Sequence, residues 1–530
     1  MSADPMSKFD AARAERTLFA ALIDAANAAG SSKPILEDVE RNPLTYKRLM
    51  LAALVLGSKL ADHTARRDTV GVLLPNVNGM MVTIFGLNAF GRIAALLNFT
   101  AGVKNIKSAI ETAEIKTLVT SRRFIDTAKL DDVISAVAAQ QGDKAVRIIY
   151  LEDLRRGIST MDKLKGALRY VFRRGFHRRH GLKAHDPAVI LFTSGTEGVP
   201  KGVALSNSNL VANAMQMWQH ASGALFTHDV LMNPLPMFHS FGLTAASLMP
   251  VFSGMKTVLY PSPLHYKQVP ALIRETKCSV LFATDTFLQG YARAADVGDL
   301  DSVRIVICGA ERVKDTTRAL WNKWGATILE GYGATECSPV ISCNVPDNNT
   351  PGTVGTLLPG IEVRLDPVEG IHEGGKLAVR GPNVMLGYIR REAPGVIVPP
   401  EGGWHDTGDI VEIDSQGRVT IKGRAKRFAK IGGEMVSLAA VESMVAGLWP
   451  NANHVVVALP DARKGEQLVL VTEKADADKT ALLNEARAQG FAELWVPKAV
   501  LVVGQIPVLG SGKTDFQATN ELARKSRALL

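Results

Sequence analysis

Residues 191–203 read Leu-Phe-Thr-Ser-Gly-Thr-Glu-Gly-Val-Pro-Lys-Gly-Val, and no other stretch constrains the fold as much. The apolar run Ala188–Phe192 has the composition of a buried strand. It empties into Thr193, Ser194, Gly195 and Thr196, then Glu197, Gly198, Pro200, Lys201 and Gly202. Small and hydroxylated residues in a tight loop let backbone N–H groups approach phosphate oxygens, and Lys201 adds a mobile positive charge. A nucleoside triphosphate suits such a loop. The common P-loop is a different pattern: it ends in Gly-Lys-Ser/Thr, whereas here Pro200 precedes Lys201 and Gly202 follows it.

With 530 residues, 46% of them apolar, the chain is expected to form more than one domain. The four cysteines, Cys278, Cys308, Cys337 and Cys343, lack both metal-ligand spacing and a disulfide framework, which fits a reducing, cytoplasmic compartment. Asp4 and Asp10 stand where a secretory leader would be apolar, so none is expected. The apolar stretch Val82–Phe99 is interrupted by Asn88 and Arg92 and reads as a buried core helix. A net charge of +9 points to acidic partners such as anionic lipid, an acidic protein or a polyphosphate. No zinc finger, helix-turn-helix or aromatic-basic RNA motif is present, so nucleic acid is not an expected partner.

The pattern along the chain predicts helices over Ala11–Ala29 and Tyr46–His63, the second with Leu49, Ala53, Leu56 and Leu60 on one face. Strands are expected at Thr69–Leu74, Lys116–Thr120, Arg147–Leu151, Ala188–Phe192, Lys256–Tyr260, Ser279–Ala283 and Val303–Cys308, with helical patterns between most of them. That alternation predicts an α/β fold of mostly parallel, helix-covered sheets. From Lys376 the texture turns to short strands, a β-rich subdomain. Gly423-Arg-Ala-Lys-Arg427 reads as a boundary between a large domain, 1–423, and a compact α+β domain, 424–530. In the latter, strands are expected at Val455–Leu459, Leu468–Thr472 and Ala499–Val503, with a helix at Lys479–Ala488.

Two stretches suggest surfaces or sites of other kinds. His63 and Asp68 have the His-x4-Asp spacing of glycerolipid acyltransferases, but they sit at a helix end with no glycerophosphate-binding segment after them. Lys163–Lys183 has no acidic residue; Leu164, Leu168, Val171, Phe172 and Phe176 can share one side, with arginines on the other. Such a segment can dock on an anionic membrane or an acidic carrier protein, or be a solvated helix packed on its own domain.

Five motifs carry chemistry. Phe238-His-Ser-Phe-Gly242 follows two prolines on a loop. Gly309-Ala-Glu311 is a small-residue turn after a strand, where a flat base can pack on backbone. In Gly331-Tyr-Gly-Ala-Thr-Glu336, Tyr332 can stack on adenine, Thr335 can hydrogen-bond a phosphate oxygen, and Glu336 is a hard oxygen ligand for Mg²⁺. Gly403-Trp-His-Asp-Thr-Gly-Asp409 places carboxylates on a tight turn, where one can accept both ribose hydroxyls, and Asp406 reads as a turn residue. Gly510-Ser-Gly-Lys-Thr514 ends like a P-loop, yet Pro507 stands where the first glycine is needed.

Taken in order, these motifs resemble the adenylate-forming superfamily of acyl-CoA synthetases, acyl-carrier-protein synthetases, adenylation domains and luciferases. The resemblance runs from about Tyr46 to the C-terminus. It implies ATP and Mg²⁺ as cofactors, with Thr193–Gly198 and Lys201 at the phosphates. It implies Gly309, Ala310 and Glu311 with Gly331, Tyr332 and Gly333 around adenine, and Thr335, Glu336 and Thr196 at phosphate and metal. His239 gates the carboxylate pocket. Asp409 and Arg424 hold the ribose, and Lys513 swings onto the reacting α-phosphate. The small domain is implied to rotate about Lys426, within a hinge at 424–427. Tyr260-Pro-Ser-Pro-Leu-His-Tyr266 and the run Arg424–Leu438 look like the synthetase half of bacterial 2-acylglycerophosphoethanolamine acyltransferase/acyl-ACP synthetases. The implied reaction activates a medium- or long-chain fatty acid to acyl-AMP. It then transfers the acyl group to the phosphopantetheine thiol of acyl carrier protein or, alternatively, to CoA. The cysteines and the basic segment 163–183, apart from the resemblance, point to the cytoplasm with peripheral contact at the inner face of the cell membrane. Two departures stand out: Glu197 replaces the usual Ser or Thr, and Thr514-Asp515-Phe516 follow Lys513 where an apolar and a basic residue are common.

Overall fold

A computed structural model describes residues 9–194, 200–369, 371, 373–431, 434–461, 465–489, 491–508 and 514–527. The chain divides into two compact units: Met1–Glu362 with Arg380–His405, and Val363–Val379 with Asp406–Leu530. The boundary expected at 423/424 therefore lies inside the second unit.

The first unit holds two large sheets. In one, the strands Thr327–Gly333, Ile305–Cys308, Val280–Ala283, Val230–Asn233, Lys256–Leu259 and Pro34–Glu37 run parallel in that order. Antiparallel strands close both edges. The other sheet has a parallel half, Pro187–Ser194, Ile93–Leu96, Thr69–Val72, Thr117–Thr120 and Arg147–Tyr150. Its antiparallel half adds Pro200–Ser206, Gly387–Arg390 and Ala393–Val398. The inner parallel strands Ile93–Leu96, Thr117–Thr120 and Val280–Ala283 are short runs of apolar residues and Thr buried at every position, as parallel sheets covered on both faces require. This is the mixed α/β architecture that the alternation predicts.

Three expected helices need correcting. The stretch 82–99 is not one helix. The helix is Asn78–Ala89, and after it Gly91 turns at φ +80° into the strand Ile93–Leu96. A Cβ at Gly91 would meet the His180 carbonyl at 2.6 Å, and Arg92 donates to the carbonyls of Phe90 and Thr64, so the chain stops winding there. The helix expected over 11–29 is broken: Thr17 accepts the Ala20 N–H and caps a separate helix, Leu18–Ala29. The second helix ends at Ala61, and its Leu49, Ala53 and Leu60 are fully buried while Leu56 is half-buried. His63 and Asp68 do not form a pair there. Asp68 accepts the Ala65 N–H, and His63 Nδ1 meets Arg147, a helix-end arrangement.

The second unit has two small sheets. Glu362–Asp366, Gly375–Arg380, His405–Ile413 and Val419–Arg424 form the first. In the second, Glu434–Ser437, Phe428–Ile431, Gly465–Thr472 and His454–Asp461 lie in that order, and Ala499–Val502 runs parallel to Gly465–Thr472. Helices Leu438–Leu448 and Lys479–Ala488 bury Val441, Met444, Val445 and Leu482 against it. Arg427 ties the start of this sheet to its core through a salt bridge to Glu442 at 2.7 Å. Among the described residues, no helix is long and apolar enough to cross a membrane.

Candidate active site

The phosphate stretch is a hairpin. The strand continues to Ser194, and Lys201 lies on the return strand directly opposite Thr193. Gly195, Thr196, Glu197 and Gly198 fall outside the described residues, so the metal role assigned to Thr196 does too. Beyond the return strand lies Gly387–Arg390, with Tyr388 opposite Val203. This register sets the Lys201 ammonium 5.8 Å from the centre of the Tyr388 ring.

Tyr388 leads to the acidic turn. Its hydroxyl donates to Glu336 Oε1 at 2.6 Å. Burial, then the negative charge of Glu336, pushes the phenol far above its ordinary pKa, so it remains a proton donor at any working pH. Three further bonds brace the same turn against residues 383–388. Met385 N–H donates to the Glu336 carbonyl at 2.7 Å, Ser338 Oγ to the Asn383 carbonyl at 2.8 Å, and Asn383 Nδ2 to the Cys337 carbonyl at 2.8 Å. The sequence reading missed Tyr388 and Asn383. Their signal was Gly381-Pro-Asn-Val-Met-Leu-Gly-Tyr388, a turn-rich stretch joined to a strand, but nothing local to it names Glu336 as partner.

The strand Thr327–Gly333 delivers the turn. Gly333 is required: a Cβ there would lie 2.2 Å from the Pro339 carbonyl oxygen. Tyr332 is 9% exposed on this strand, opposite Ser342. Ser240 Oγ lies 3.5 Å from Thr335 Oγ1, which brings the His239 loop beside the turn. His239 itself is exposed, while its neighbour Phe238 is buried edge-on against Phe99. From Phe241 the chain winds as a π-helix to Leu248, a form that recurs at functional sites. Gly309 packs on the Phe241 ring, where a Cβ would come within 3.2 Å of it and 3.6 Å of the Gly331 carbonyl. Ala310 sits at φ +67°, and the Glu311 carboxylate accepts the Thr286 N–H and hydroxyl at 2.9 Å each, so Glu311 braces a helix start. Thus 201, 240, 309–311, 331–336 and 388 gather in one unit.

Asp409 and Arg424 belong to the other unit. They face each other across the pair His405–Ile413 and Val419–Arg424, with Arg424 Nε 2.9 Å from Asp409 Oδ1. Asp409 is 5% exposed, and its N–H donates to Thr407 Oγ1. Asp406 is a turn residue, accepting the Gly408 N–H and pairing with Lys376 at 2.8 Å. Lys426 is exposed in a short 3₁₀ turn, Ala425–Arg427. Lys513 lies outside the described residues; the flanking Val508 and Thr514 are bridged to each other.

The donor set suits a magnesium nucleotide. Glu336 is a half-buried carboxylate with one oxygen held by Tyr388, and Lys201 stands beside the same ring. No cluster of three or more His, Cys, Asp or Glu side chains able to hold a metal occurs among the described residues. One or two carboxylates plus phosphate oxygens is the way Mg²⁺ is usually bound. The cysteines are free thiols; burial pushes Cys278 and Cys343 up to about 12, so neither is a nucleophile.

Residues 23–389 match the family model described as AMP-binding enzyme. A long-chain-fatty-acid–CoA ligase of Haemophilus influenzae is 25% identical, covering 89% of this chain and 88% of that protein. A probable 4-coumarate–CoA ligase of Dictyostelium discoideum is 28% identical over 84% of each. The ATP-bound structure of MatB from Rhodopseudomonas palustris superposes with a TM-score of 0.81 at 25% identity, covering 96% of this chain and 99% of that one.

Proposed function

The chain belongs to the AMP-binding enzyme family, and from that premise we propose that it is an AMP-forming acid–thiol ligase whose acid is a fatty acid. In the first step a carboxylate oxygen attacks the α-phosphorus of ATP, and the bond to pyrophosphate breaks. In the second, a thiol sulfur attacks the acyl carbon of the adenylate, the bond to AMP breaks, and the thiol proton passes to solvent. The incoming carboxylate and the phosphates repel each other, so the site must supply positive charge at the phosphorus. Lys201 supplies it from the hairpin and Lys513 from the C-terminal stretch. Mg²⁺, when bound, would sit on Glu336 with Thr196 and offset the phosphate charge. Tyr388 holds the Glu336 carboxylate in its orientation. Thr193, Ser194, Gly195, Glu197 and Gly198 line the phosphates. Gly309–Glu311, Gly331, Tyr332 and Gly333 receive the base, Asp409 with Arg424 the ribose, and His239 borders the carboxylate.

The observation that supports this most is the line Lys201–Tyr388–Glu336, which joins a cation and a carboxylate from three distant stretches. Fatty-acid-dependent exchange of labelled pyrophosphate into ATP tests it. No exchange with any chain length, or ADP as product, would overturn the reading; ADP would point instead to an ATPase using Gly512-Lys513.

For the acceptor, CoA is supported by the relatives, among them the fatty-acid–CoA ligase of H. influenzae. The carrier-protein thiol rests on the stretches 260–266 and 424–438. Offering CoA and holo-carrier protein together and measuring which thioester forms first decides between them. Lys426 is the proposed hinge: Lys426→Pro should keep pyrophosphate exchange and lose thioester product. Both acceptors and the free thiols fit a cytoplasmic setting.

A further inference from the structure

Fifteen large apolar side chains are exposed among the described residues, and five of them fall within twelve positions: Met161, Leu164, Leu168, Val171 and Phe172. They are 56–65% exposed. The helix Thr160–Val171 puts 161, 164, 168 and 171 on one face, a stripe of about 16 Å from Met161 to Phe172. A surface helix ordinarily turns such a stripe inward. Here the opposite face is the packed one. Gly166 is buried so closely on the helix Tyr46–Ala61 that a Cβ would meet Val55 Cγ2 at 2.4 Å. Asp162 is pinned to Lys59 at 2.8 Å, and Ser159 with Asp162 forms a capping box at the helix start. Turning the stripe inward would require a side chain where only Gly166 fits.

Asp162 is neutralised by Lys59, and after it the charges along the chain are of one sign. Residues 163–183 hold eight Lys and Arg and no Asp or Glu. Some of these cations have local tasks: Arg169 lies over the Phe90 and Phe176 rings, Arg173 over Tyr170, and Arg174 pairs with Asp24. Lys163 and Lys165 are exposed on the helix that carries the stripe, and Arg178 and Arg179 on the helix that follows it, Arg173–His180. Phe176, grouped with the stripe in the sequence reading, instead packs inward on Phe90 at 5.1 Å.

We propose that Met161–Phe172 and its flanking cations form a docking surface for an anionic phospholipid membrane, with the apolar stripe entering the headgroup–acyl boundary and the cations meeting lipid phosphates. An acidic protein would engage the cations but leaves a continuous apolar stripe unexplained, whereas a bilayer interface accepts both at one depth. The proposal does not depend on the ligase reading, because its readout is binding and not turnover.

Flotation of the full chain with phosphatidylglycerol–phosphatidylcholine vesicles, against phosphatidylcholine alone, tests it. We expect at least about tenfold more protein on the anionic vesicles, released by salt. Replacing Leu164, Leu168, Val171 and Phe172 together with Ser, or Lys163, Lys165, Arg178 and Arg179 together with Gln, should each lower the bound fraction about tenfold. Phe172→Trp should be quenched by brominated phosphatidylglycerol. Failure of the wild type to float, wild-type binding by the Ser variant, or an unquenched Phe172→Trp would overturn the proposal. So would a wild-type dimer that the Ser variant converts to monomer, since a second copy would then cover the face. Protection of the stripe by an acidic carrier protein without vesicle binding would also overturn it.

Discussion

The turn bearing Glu336 and the hairpin bearing Asp409 both hold a carboxylate, but they are built by opposite means. Asp409 meets its cation through the register of one hairpin: Arg424 lies straight across from it, fifteen positions on in the chain. Glu336 is oriented by Tyr388, fifty-two positions away, and Tyr388 is placed by its strand's pairing with the return strand of the Lys201 hairpin. Adjacent pairing makes the first arrangement tolerant of change elsewhere. The second depends on the order of strands in a sheet and on four bonds between residues 336–338 and 383–388. The hairpin thus resembles a fixed clasp, and the turn a group held at a set orientation, which is what a metal ligand needs.

This contrast can be broken by kinetics. The largest effect is expected from Lys513→Ala. Adenylation should fall by about 10²–10³, the usual cost of removing one charge-stabilising donor. Thioester formation from preformed acyl-AMP should be largely spared. Equal losses in pyrophosphate exchange and in the single-turnover thiol step would show that the second unit does more than deliver a lysine. Next, Glu336→Gln should lower kcat by about 10², while Asp409→Asn should raise the KM for ATP by about tenfold with kcat nearly kept. If both variants moved the same constant, the division into orienting turn and binding clasp would collapse.

Tyr388→Phe sharpens the contrast further. It removes one hydrogen bond from Glu336, so the Mg²⁺ concentration for half-activation should rise about tenfold and excess Mg²⁺ should restore the rate. A loss that magnesium does not repair would mean that Tyr388 supports the sheet and not the carboxylate. The smallest effect near neutral pH concerns the conditions for these measurements. His177 is buried between Thr17 Oγ1 and the Ala89 carbonyl, and burial lowers its pKa to about 4. The unfolded chain takes up that proton first, below about pH 6.5. Stability is therefore full above pH 6.5, falls as pH drops toward 4, and is lower by up to roughly 3 kcal/mol beneath that. Thermal melts across this range check it; a flat profile would refute the assignment.

Much of the fold was legible because it is written in local periods. The parallel strands Lys256–Leu259, Val280–Ala283 and Ile305–Cys308 stand within two residues of their expected bounds, since short apolar runs between turn residues have few other uses. Residues 82–99 were misread because a buried helix and a buried parallel strand are equally apolar, and only the left-handed turn at Gly91 separates them. The candidate site was legible in part. Gly331–Glu336 and the hairpin around Lys201 announce phosphate chemistry by composition, whereas Tyr388 and Asn383 carry no local mark of their task.

From the residues alone followed the order of the motifs, the helix-covered parallel cores and the concentration of positive charge in 163–183. Each is a property of neighbours along the chain, where spacing and side-chain chemistry suffice. Only the tertiary structure decided that Tyr388 reaches Glu336, that Glu311 braces the start of a helix, and that the apolar stripe of Thr160–Val171 faces away from its own domain. Those outcomes depend on strand order and on how closely Gly166 lets two helices approach, and neither is encoded within any single stretch.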